Sequence, residues 1–412
     1  MLTKIEARHY RALRYIEQRL EPFQVLIGPN ASGKSTFLDV IAFTADIINQ
    51  PSPINAVRQR APDFRDLTWM RASDWLELAI EAEIPEQLAD HHTHLRYELR
   101  LGVDDKELAL LVETLWFKTE EQTDERLRER RFPQIARLPE RITREPNKRT
   151  PKGWRKVLSK TESGNDYFRA ETTDWNNMFR LGPQRPALAN LPEDAERFPV
   201  STWFKRYISE GVQRIMLNSE ALRRPSPPQS PRAFQPDGSN LPWVIHELEE
   251  HYPEQLKDWV GHVQTALPDV RGIKTIERPE DRHRYLVISY DSGLDAPSWV
   301  VSDGTLRMLA LTVLAYLPEL EGIYLIEEPE NGIHPRAVET IYQSLSTIYD
   351  AQVFLATHSP IILSMAETGK LLCFDRTAEG ETDIIRGDEH PRLQDWRGEV
   401  NLGTLFAAGV LG

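Results

Sequence analysis

The feature that most constrains the fold of this chain is a glycine-rich run, GPNASGKST at residues 28–36, which has the form G-x-x-x-x-G-K-[ST]. Apolar residues 23–27 precede this run as a short buried strand, and residues 35–48 follow it with apolar side chains at helical spacing. A strand, a glycine-rich turn and a helix in this order attract anions, because loop N–H groups and the helix N-terminus point at the ligand. The sequence therefore predicts a site for nucleotide phosphates.

Each residue type in this loop has a predicted contact. Lys34 places a full positive charge against the β- and γ-phosphates, and the Ser35 hydroxyl binds Mg²⁺. A chance turn with the same letters is the alternative, but the flanking strand and helix argue against it. The predicted nucleotide-binding residues are Gly28, Pro29, Asn30, Ala31, Ser32, Gly33, Lys34, Ser35 and Thr36.

A second strand, at residues 323–326, ends in two consecutive carboxylates, Glu327 and Glu328, before the helix-breaking Pro329. At such a strand end we expect Glu327 to bind Mg²⁺ or its water shell, and Glu328 to polarise the attacking water as general base. The alternative is a pair of solvated turn residues. The catalytic interpretation of Glu327 and Glu328 is favoured only when the pair is considered together with the segments that follow.

Two further segments carry polar residues at the ends of predicted elements. Residues 352–356 form another apolar strand that presents His358, which is predicted to hydrogen-bond the γ-phosphate and sense its presence. Ser302 and Gly304 precede a leucine-rich helical run and predict a second anion site built from N–H groups and a hydroxyl. Taken singly, a structural histidine and an ordinary helix cap are the alternatives.

The four segments occur in the order typical of ATP-binding-cassette (ABC) ATPases of the SMC, RecF and OLD-nuclease group, which this chain resembles. The resemblance implies ATP and Mg²⁺ as ligands, ATP hydrolysis to ADP and phosphate, and a nucleotide sandwiched between two protomers. It makes Ser302 and Gly304 the signature contacts to a γ-phosphate held by the opposite subunit, and residues 331–334 the D-loop. Two positions depart from the pattern: Glu327 replaces the usual Walker B Asp, and the Q-loop glutamine is not placed, with Gln184 as a candidate.

The predicted fold is α/β, an ABC-ATPase P-loop fold with a β-rich N-terminal lobe and a compact mixed α/β insertion. Residues 1–120 form the N-terminal lobe, residues 121–295 the insertion, and residues 296–412 the C-terminal lobe with signature, Walker B strand, D-loop and switch histidine. Within the insertion, residues 203–216 predict an amphipathic helix and residues 222–242 a proline-rich loop. No apolar heptad repeat persists, so no long coiled coil is expected.

Charge is unevenly distributed along the chain. The net charge of −13 argues against a protein that binds polyanions over its whole surface. Residues 124–160, however, contain thirteen Lys and Arg against five Asp and Glu. This basic segment predicts contact with nucleic acid or with the acidic face of a partner protein, and a solvated surface is the alternative.

Cysteine content and hydropathy exclude other classes. The single Cys373 excludes a disulfide framework and a cysteine-based zinc cluster. No signal peptide and no membrane-spanning stretch are recognised, so a cytoplasmic protein with no membrane partner is expected. His91, His92 and His94 lack carboxylate or cysteine partners at ligand spacing, and the sequence does not favour a metal site there.

These observations favour an ATP-dependent switch, in which a homodimer closes around two ATP molecules and hydrolysis at Glu328 reopens it. The chain resembles stand-alone ATPases of prokaryotic anti-phage defence systems, which implies a separately encoded effector such as a nuclease. Only 54 residues follow His358, so the nuclease domain of OLD relatives is not expected here. The alternatives are a RecF-like DNA repair or recombination ATPase and an ATP-binding scaffold that hydrolyses little.

Overall fold

The computed structural model describes residues 1–104, 107–119, 131–144, 149–160, 165–173, 175–393 and 401–407. Its strands are β1 (Leu2–Tyr10), β2 (Leu13–Arg19), β3 (Phe23–Ile27), β4 (Trp75–Glu83), β5 (His94–Asp104), β6 (Glu107–Lys118), β7 (Trp154–Lys160), β8 (Asp166–Arg169), β9 (Asn176–Phe179), β10 (Val212–Ile215), β11 (Val270–Glu277), β12 (Arg284–Tyr290), β13 (Asp295–Pro297), β14 (Gly322–Glu327), β15 (Ala351–Ala356), β16 (Leu371–Arg376) and β17 (Thr382–Arg386). Its α-helices are α1 (Lys34–Asn49), α2 (Pro53–Arg58), α3 (Pro199–Ser209), α4 (Ser219–Arg223), α5 (Leu241–His251), α6 (Pro253–Ala266), α7 (Asp303–Thr312), α8 (Pro335–Ser346), α9 (Pro360–Met365) and α10 (Leu402–Ala407).

The chain divides into two compact units. Unit 1 comprises Met1–Val212, Thr368–Trp396 and Gly412, and unit 2 comprises Gln213–Glu367 and Arg397–Leu411. The lobes and insertion expected from the sequence were defined by motif order rather than by compactness, and their boundaries stay a prediction. Among the described residues the longest helix is α1, with 16 residues, so this part of the chain contains no long coiled coil.

Unit 1 contains an antiparallel sheet with the strand order β2-β1-β4-β5-β6-β7-β8-β9. Side chains alternate across it, so that in β4 Leu78 points to one face and Glu77 and Glu81 to the other, and all three are buried. Apolar and polar residues alternate in sequence at 75–85 and 95–118, a pattern that predicts antiparallel strands, and β4, β5 and β6 confirm it. Strands β7 to β9 come from the predicted insertion and extend the same sheet.

The second face of this sheet is buried although it is rich in charge. Arg96 pairs with Glu81 at 2.9 Å and with Glu98 at 2.7 Å, and Lys118 pairs with Glu81 at 2.6 Å. Burial acts to raise the pKa of Glu81, but Arg96, Lys4 and Lys118 together hold it at about 2. The face therefore buries its charges in pairs, as buried charges require.

Residues 131–144 run along this charged face and satisfy its carboxylates. The Thr143 hydroxyl donates to Glu77 at 2.6 Å, and the Arg144 amide donates to Glu98 at 2.9 Å. Part of the basic segment thus belongs to the interior of unit 1. Four cations of the basic segment lie outside the described residues: Arg126, Arg128, Arg130 and Lys148.

The glycine-rich loop is carried by a smaller group of strands in unit 1. β3 runs parallel to β16, which pairs antiparallel with β17. The predicted strand at residues 23–27 and the helix that follows the loop are confirmed as β3 and α1. Asp39 anchors α1 from inside, because its carboxylate accepts bonds from the Tyr10 hydroxyl at 2.6 Å and from Arg60 at 2.8 Å.

Unit 2 is built around β10, β14 and β15, which are neighbours in that order, with β14 and β15 parallel. The helix predicted at residues 203–216 is wrong in its second half: α3 ends at Ser209, and β10 follows after Gly211. Position beside β14 overrides the local helical pattern there. The predicted proline-rich loop is confirmed between α4 and α5, where the Asn240 side chain donates to the carbonyls of Pro231 and Ala233.

Candidate functional site

The glycine-rich loop of unit 1 turns from β3 into α1 through backbone that only small residues allow. Gly33, at the N-cap of α1, has φ +108°, and a Cβ there would lie 2.4 Å from the Thr382 hydroxyl oxygen. That hydroxyl donates to the carbonyl of Ser32 at 2.9 Å, so β17 fixes the loop from outside. The requirement for glycine at this position is therefore both conformational and steric.

Two polar side chains of the predicted nucleotide loop, Lys34 and Ser35, lie on the first turn of α1. Lys34 is buried to 7% exposure, and its ammonium donates to the carbonyls of Gly28 at 2.7 Å and Pro29 at 2.9 Å. Ser35 is exposed on the first turn of α1. A cation held inside the loop and a hydroxyl at the helix N-terminus form a donor set suited to nucleotide phosphates and their Mg²⁺.

In unit 2 the end of β14 places the predicted Walker B carboxylates side by side. The Glu327 carboxylate, 27% exposed, pairs with Arg214 of β10 at 3.0 Å. Glu328 has φ +47°, a left-handed backbone that costs a residue with a Cβ about 1–2 kcal/mol. Its N–H donates to the Ala356 carbonyl at 2.8 Å, and its carboxylate accepts from the Asn331 amide at 2.5 Å. Strain of this kind concentrates at functional sites.

Glu330 is a residue of the site that sequence reasoning missed. Its Oε1 accepts from the Thr357 hydroxyl at 2.7 Å and from the His358 N–H at 2.9 Å. Its Oε2 is buried and has no hydrogen-bond partner in the part of the chain that the structure describes. The available signal was a third carboxylate in the run EEPE at residues 327–330. Glu330 therefore ties the β14 end to the predicted switch histidine.

The predicted signature residues lie at the start of α7 in unit 2. Ser302 is the N-cap, and its hydroxyl accepts from the Thr305 N–H at 3.2 Å, so the helix-cap interpretation holds for the free chain. A Cβ on Gly304 would lie 2.6 Å from the Gly332 carbonyl oxygen. The predicted signature and D-loop therefore touch within unit 2 through a glycine that leaves room for backbone. Asp303 pairs with Arg223 at 2.5 Å beside this contact.

Other candidate residues are used in different ways. Gln184 donates to Glu107 at 3.3 Å in unit 1. His91 is 87% exposed, and no group of three or more His, Cys, Asp or Glu suited to a metal ion occurs among the described residues. In the basic segment, Lys160 is buried against Asp166 at 2.5 Å. The charge of Lys160 is therefore paired inside unit 1.

The predicted phosphate loop belongs to unit 1, whereas the predicted Walker B strand, signature, D-loop and switch histidine belong to unit 2. Their chemistry and order define an ATPase of the ABC type with the fold of SMC heads. The chain belongs to the family described as AAA_21, "AAA domain, putative AbiEii toxin, Type IV TA system", whose model matches residues 23–364. None of the described helices combines the length and apolar character needed to cross a membrane.

One solved structure with a TM-score above 0.5 supports the fold. The structure titled "Crystal structure of the SmcHead bound to the C-winged helix domain of ScpA" is similar over 93% of this chain and 96% of its own, with 12% identity and a TM-score of 0.53. An Smc head from Pyrococcus furiosus, with an extended coiled coil and bound to the C-terminal domain of ScpA, matches with 12% identity, 93% and 95% coverage and a TM-score of 0.45. The SMC head domain from Thermotoga maritima matches with 11% identity, 93% and 98% coverage and a TM-score of 0.39.

Proposed function

We propose that this protein hydrolyses ATP and uses the hydrolysis as a switch between open and closed pairs of protomers. The observation that carries the proposal is the conformation at the end of β14, where Glu328 is held at φ +47° with its carboxylate fixed by Asn331. An exposed carboxylate held in one orientation is the arrangement that a general base for water requires. Membership of an ATPase family supports the reaction class.

The residues of the phosphate loop would bind the nucleotide. Lys34 would exchange its contacts with the Gly28 and Pro29 carbonyls for phosphate oxygens. Ser35 and Glu327 would hold Mg²⁺, which when bound neutralises charge between the β- and γ-phosphates. For this the Glu327 carboxylate must leave or share its ion pair with Arg214.

The dimeric part of the proposal rests on the signature. Ser302 is exposed at the N-terminus of α7, where its hydroxyl and the first N–H groups of the helix suit an anion presented from outside. We propose that this turn contacts the γ-phosphate held by a second copy of the chain. Loss of that phosphate after hydrolysis removes the charge that links the two copies, and the pair reopens.

The cellular role that we propose is control of a separately encoded effector in prokaryotic anti-phage defence. The family description names a putative toxin of a type IV toxin–antitoxin system, which supports action together with another protein. The SMC head of similar fold is bound to a domain of ScpA, an example of a head that carries a separate partner.

The substitution Glu328→Gln tests the proposal. It keeps the hydrogen-bonding shape but removes the base, so we expect hydrolysis to fall by roughly 100-fold or more while ATP-bound dimers accumulate. Phosphate release and light scattering after size exclusion measure the two effects. The same change at the exposed Glu339 of α8 is the matched control and should leave both unchanged. Unaltered hydrolysis and assembly in the Glu328 variant would contradict the switch and favour an ATP-binding scaffold.

A further inference from the structure

A cleft of about 290 Å³ in unit 2 has a lining that the proposed hydrolysis leaves unexplained. Arg214 of β10, Arg307 of α7 and Glu327 of β14 all line it. Apolar side chains form the rest of the wall, among them Leu311 and Ile326. Met216, also in the lining, is 64% exposed, so the cleft is open to solvent beside an apolar surface.

Arg307 is the first indication that the cleft binds an anion. Its Nε is buried and meets no hydrogen-bond partner in the described part of the chain. A buried guanidinium N–H without an acceptor destabilises a protein, because the group has lost water and gained nothing in exchange. The Arg307 residue as a whole is half-buried at the wall of the cleft. A carboxylate or a similar oxygen anion bound in the cleft would pair with the Arg307 guanidinium.

Arg214 supplies a second guanidinium on the same cleft. It forms an ion pair with Glu327 at 3.0 Å, and its side chain remains 46% exposed. An exposed ion pair of this kind is weak and exchanges partners readily. A second carboxylate entering the cleft can therefore compete with Glu327 for Arg214 while it satisfies Arg307.

We propose that this cleft binds an acidic segment of a partner protein, with an aspartate or glutamate between the two arginines and a neighbouring apolar side chain against the wall. Charge complementarity supports the acidic group, since two guanidinium groups face one carboxylate in the lining. The apolar wall favours a peptide over a free inorganic anion, because it gives burial to a side chain. The volume is near the lower end of ligand pockets and suits one or two side chains.

Occupancy of the cleft has a consequence for the Walker B carboxylate. A partner carboxylate that takes Arg214 leaves Glu327 without that ion pair, and Glu327 is then available for its proposed metal contact. This step rests on the proposed function of Glu327, whereas binding of the segment does not. The partner would thus favour the ATPase-competent arrangement of the β14 end.

The test follows the Met216 methyl group by NMR in the full-length protein, labelled at its six methionines and kept free of nucleotide and divalent metal. Substitution of Met216 by Leu assigns the signal. The probe is an acetylated and amidated LELDL peptide, and the matched control peptide is LQLNL. We expect LELDL, but neither LQLNL nor inorganic phosphate, to shift the Met216 signal.

Four variants complete the design, each checked for folding by circular dichroism. Arg307→Gln should weaken LELDL binding at least tenfold, and Arg224→Gln, at an arginine that is 72% exposed outside the cleft, should not. Glu327→Gln should strengthen binding about two- to fivefold by freeing Arg214. Equal shifts with LQLNL or phosphate, no shift with LELDL, or wild-type affinity in both Arg307→Gln and Arg214→Gln would overturn the proposal. Because no hydrolysis is measured, failure of the ATPase assignment would leave this result intact.

Discussion

The contact between Glu330 and the residues around His358 yields the sharpest prediction. Glu330→Ala removes the acceptor of the His358 N–H and the Thr357 hydroxyl, which it binds at 2.9 and 2.7 Å. A buried N–H left without an acceptor costs about 1–3 kcal/mol, and the hydroxyl adds about 1 kcal/mol. We therefore expect the free energy of unfolding to fall by about 2–4 kcal/mol. Each kcal/mol lowers the melting temperature of a domain of this size by about 2–4 °C, which calorimetry resolves.

Glu330→Gln is the matched control for the lost acceptor. Its amide oxygen can occupy the place of Oε1, and its NH₂ group takes the place of Oε2, which has no partner among the described residues. We expect this variant to stay within about 1 kcal/mol of the wild type. Equal destabilisation by Gln and Ala would mean that charge, not the pair of hydrogen bonds, holds the site.

A third variant separates positioning from stability. Thr357→Val removes the hydroxyl bond to Glu330 and the acceptor of the Ser359 N–H, but it leaves the bond from the His358 N–H to Glu330. It should therefore lower the melting temperature while ATP hydrolysis is kept, whereas Glu330→Ala should lower both. If Thr357→Val reduces hydrolysis as much as Glu330→Ala, or if Glu330→Ala melts like the wild type, the reasoning is refuted.

Two further predictions concern other parts of the chain. Gly304→Ala places a methyl group 2.6 Å from the Gly332 carbonyl oxygen. We therefore expect calorimetry to show a free energy of unfolding lower by about 1–3 kcal/mol, and ATP-dependent dimerisation to be weaker. Gly261→Ala is the control, because a methyl group there meets nothing within 4 Å. Burial, and after it the charges of Arg8 and Arg14, lowers the pKa of His9 to about 4. The unfolded chain, in which the pKa is about 6.5, therefore binds the proton more readily than the folded chain. The free energy of unfolding of unit 1 should thus fall as the pH is lowered from 6.5 to 4. Urea unfolding at pH 7.5 and 4.5 should show a loss of about 1–2 kcal/mol, after screening at this partly exposed ring, that His9→Gln abolishes. An equal pH dependence in both proteins would exclude His9 as its source.

The local parts of the site could be predicted from the sequence because their signals are local. A strand, a glycine-rich turn and a helix occupy adjacent residues, and β3 and α1 follow the predicted course. The alternation that predicted antiparallel strands is likewise a property of neighbouring residues. The helix predicted across residues 203–216 failed where a strand neighbour, β14, supplies contacts more than a hundred residues away in sequence.

Charge counts were the least informative signal, because they record residues and not partners. The excess of cations in residues 124–160 predicts a surface for nucleic acid or a partner. In the structure Lys160 is buried against Asp166, and Arg155 donates to the carbonyls of Ala170 and Glu171. For these described cations the fold itself provides the anion or the acceptor. Such pairs could not be predicted because the partners are separated in sequence, as Thr357 and His358 are from Glu330.

The run from Glu327 to Glu330 shows how one short segment can connect several distant elements. Glu327 pairs with Arg214 of β10, Glu328 binds the Asn331 side chain of the predicted D-loop, and Glu330 binds the backbone of His358. The left-handed backbone at Glu328 and the fixed φ of Pro329 turn these carboxylates in different directions. Three of the four residues in this run are therefore each held by a different part of unit 2. Under the proposed function, these contacts would couple a nucleotide-dependent change at the end of β14 to β10, to the predicted D-loop and to the segment around His358.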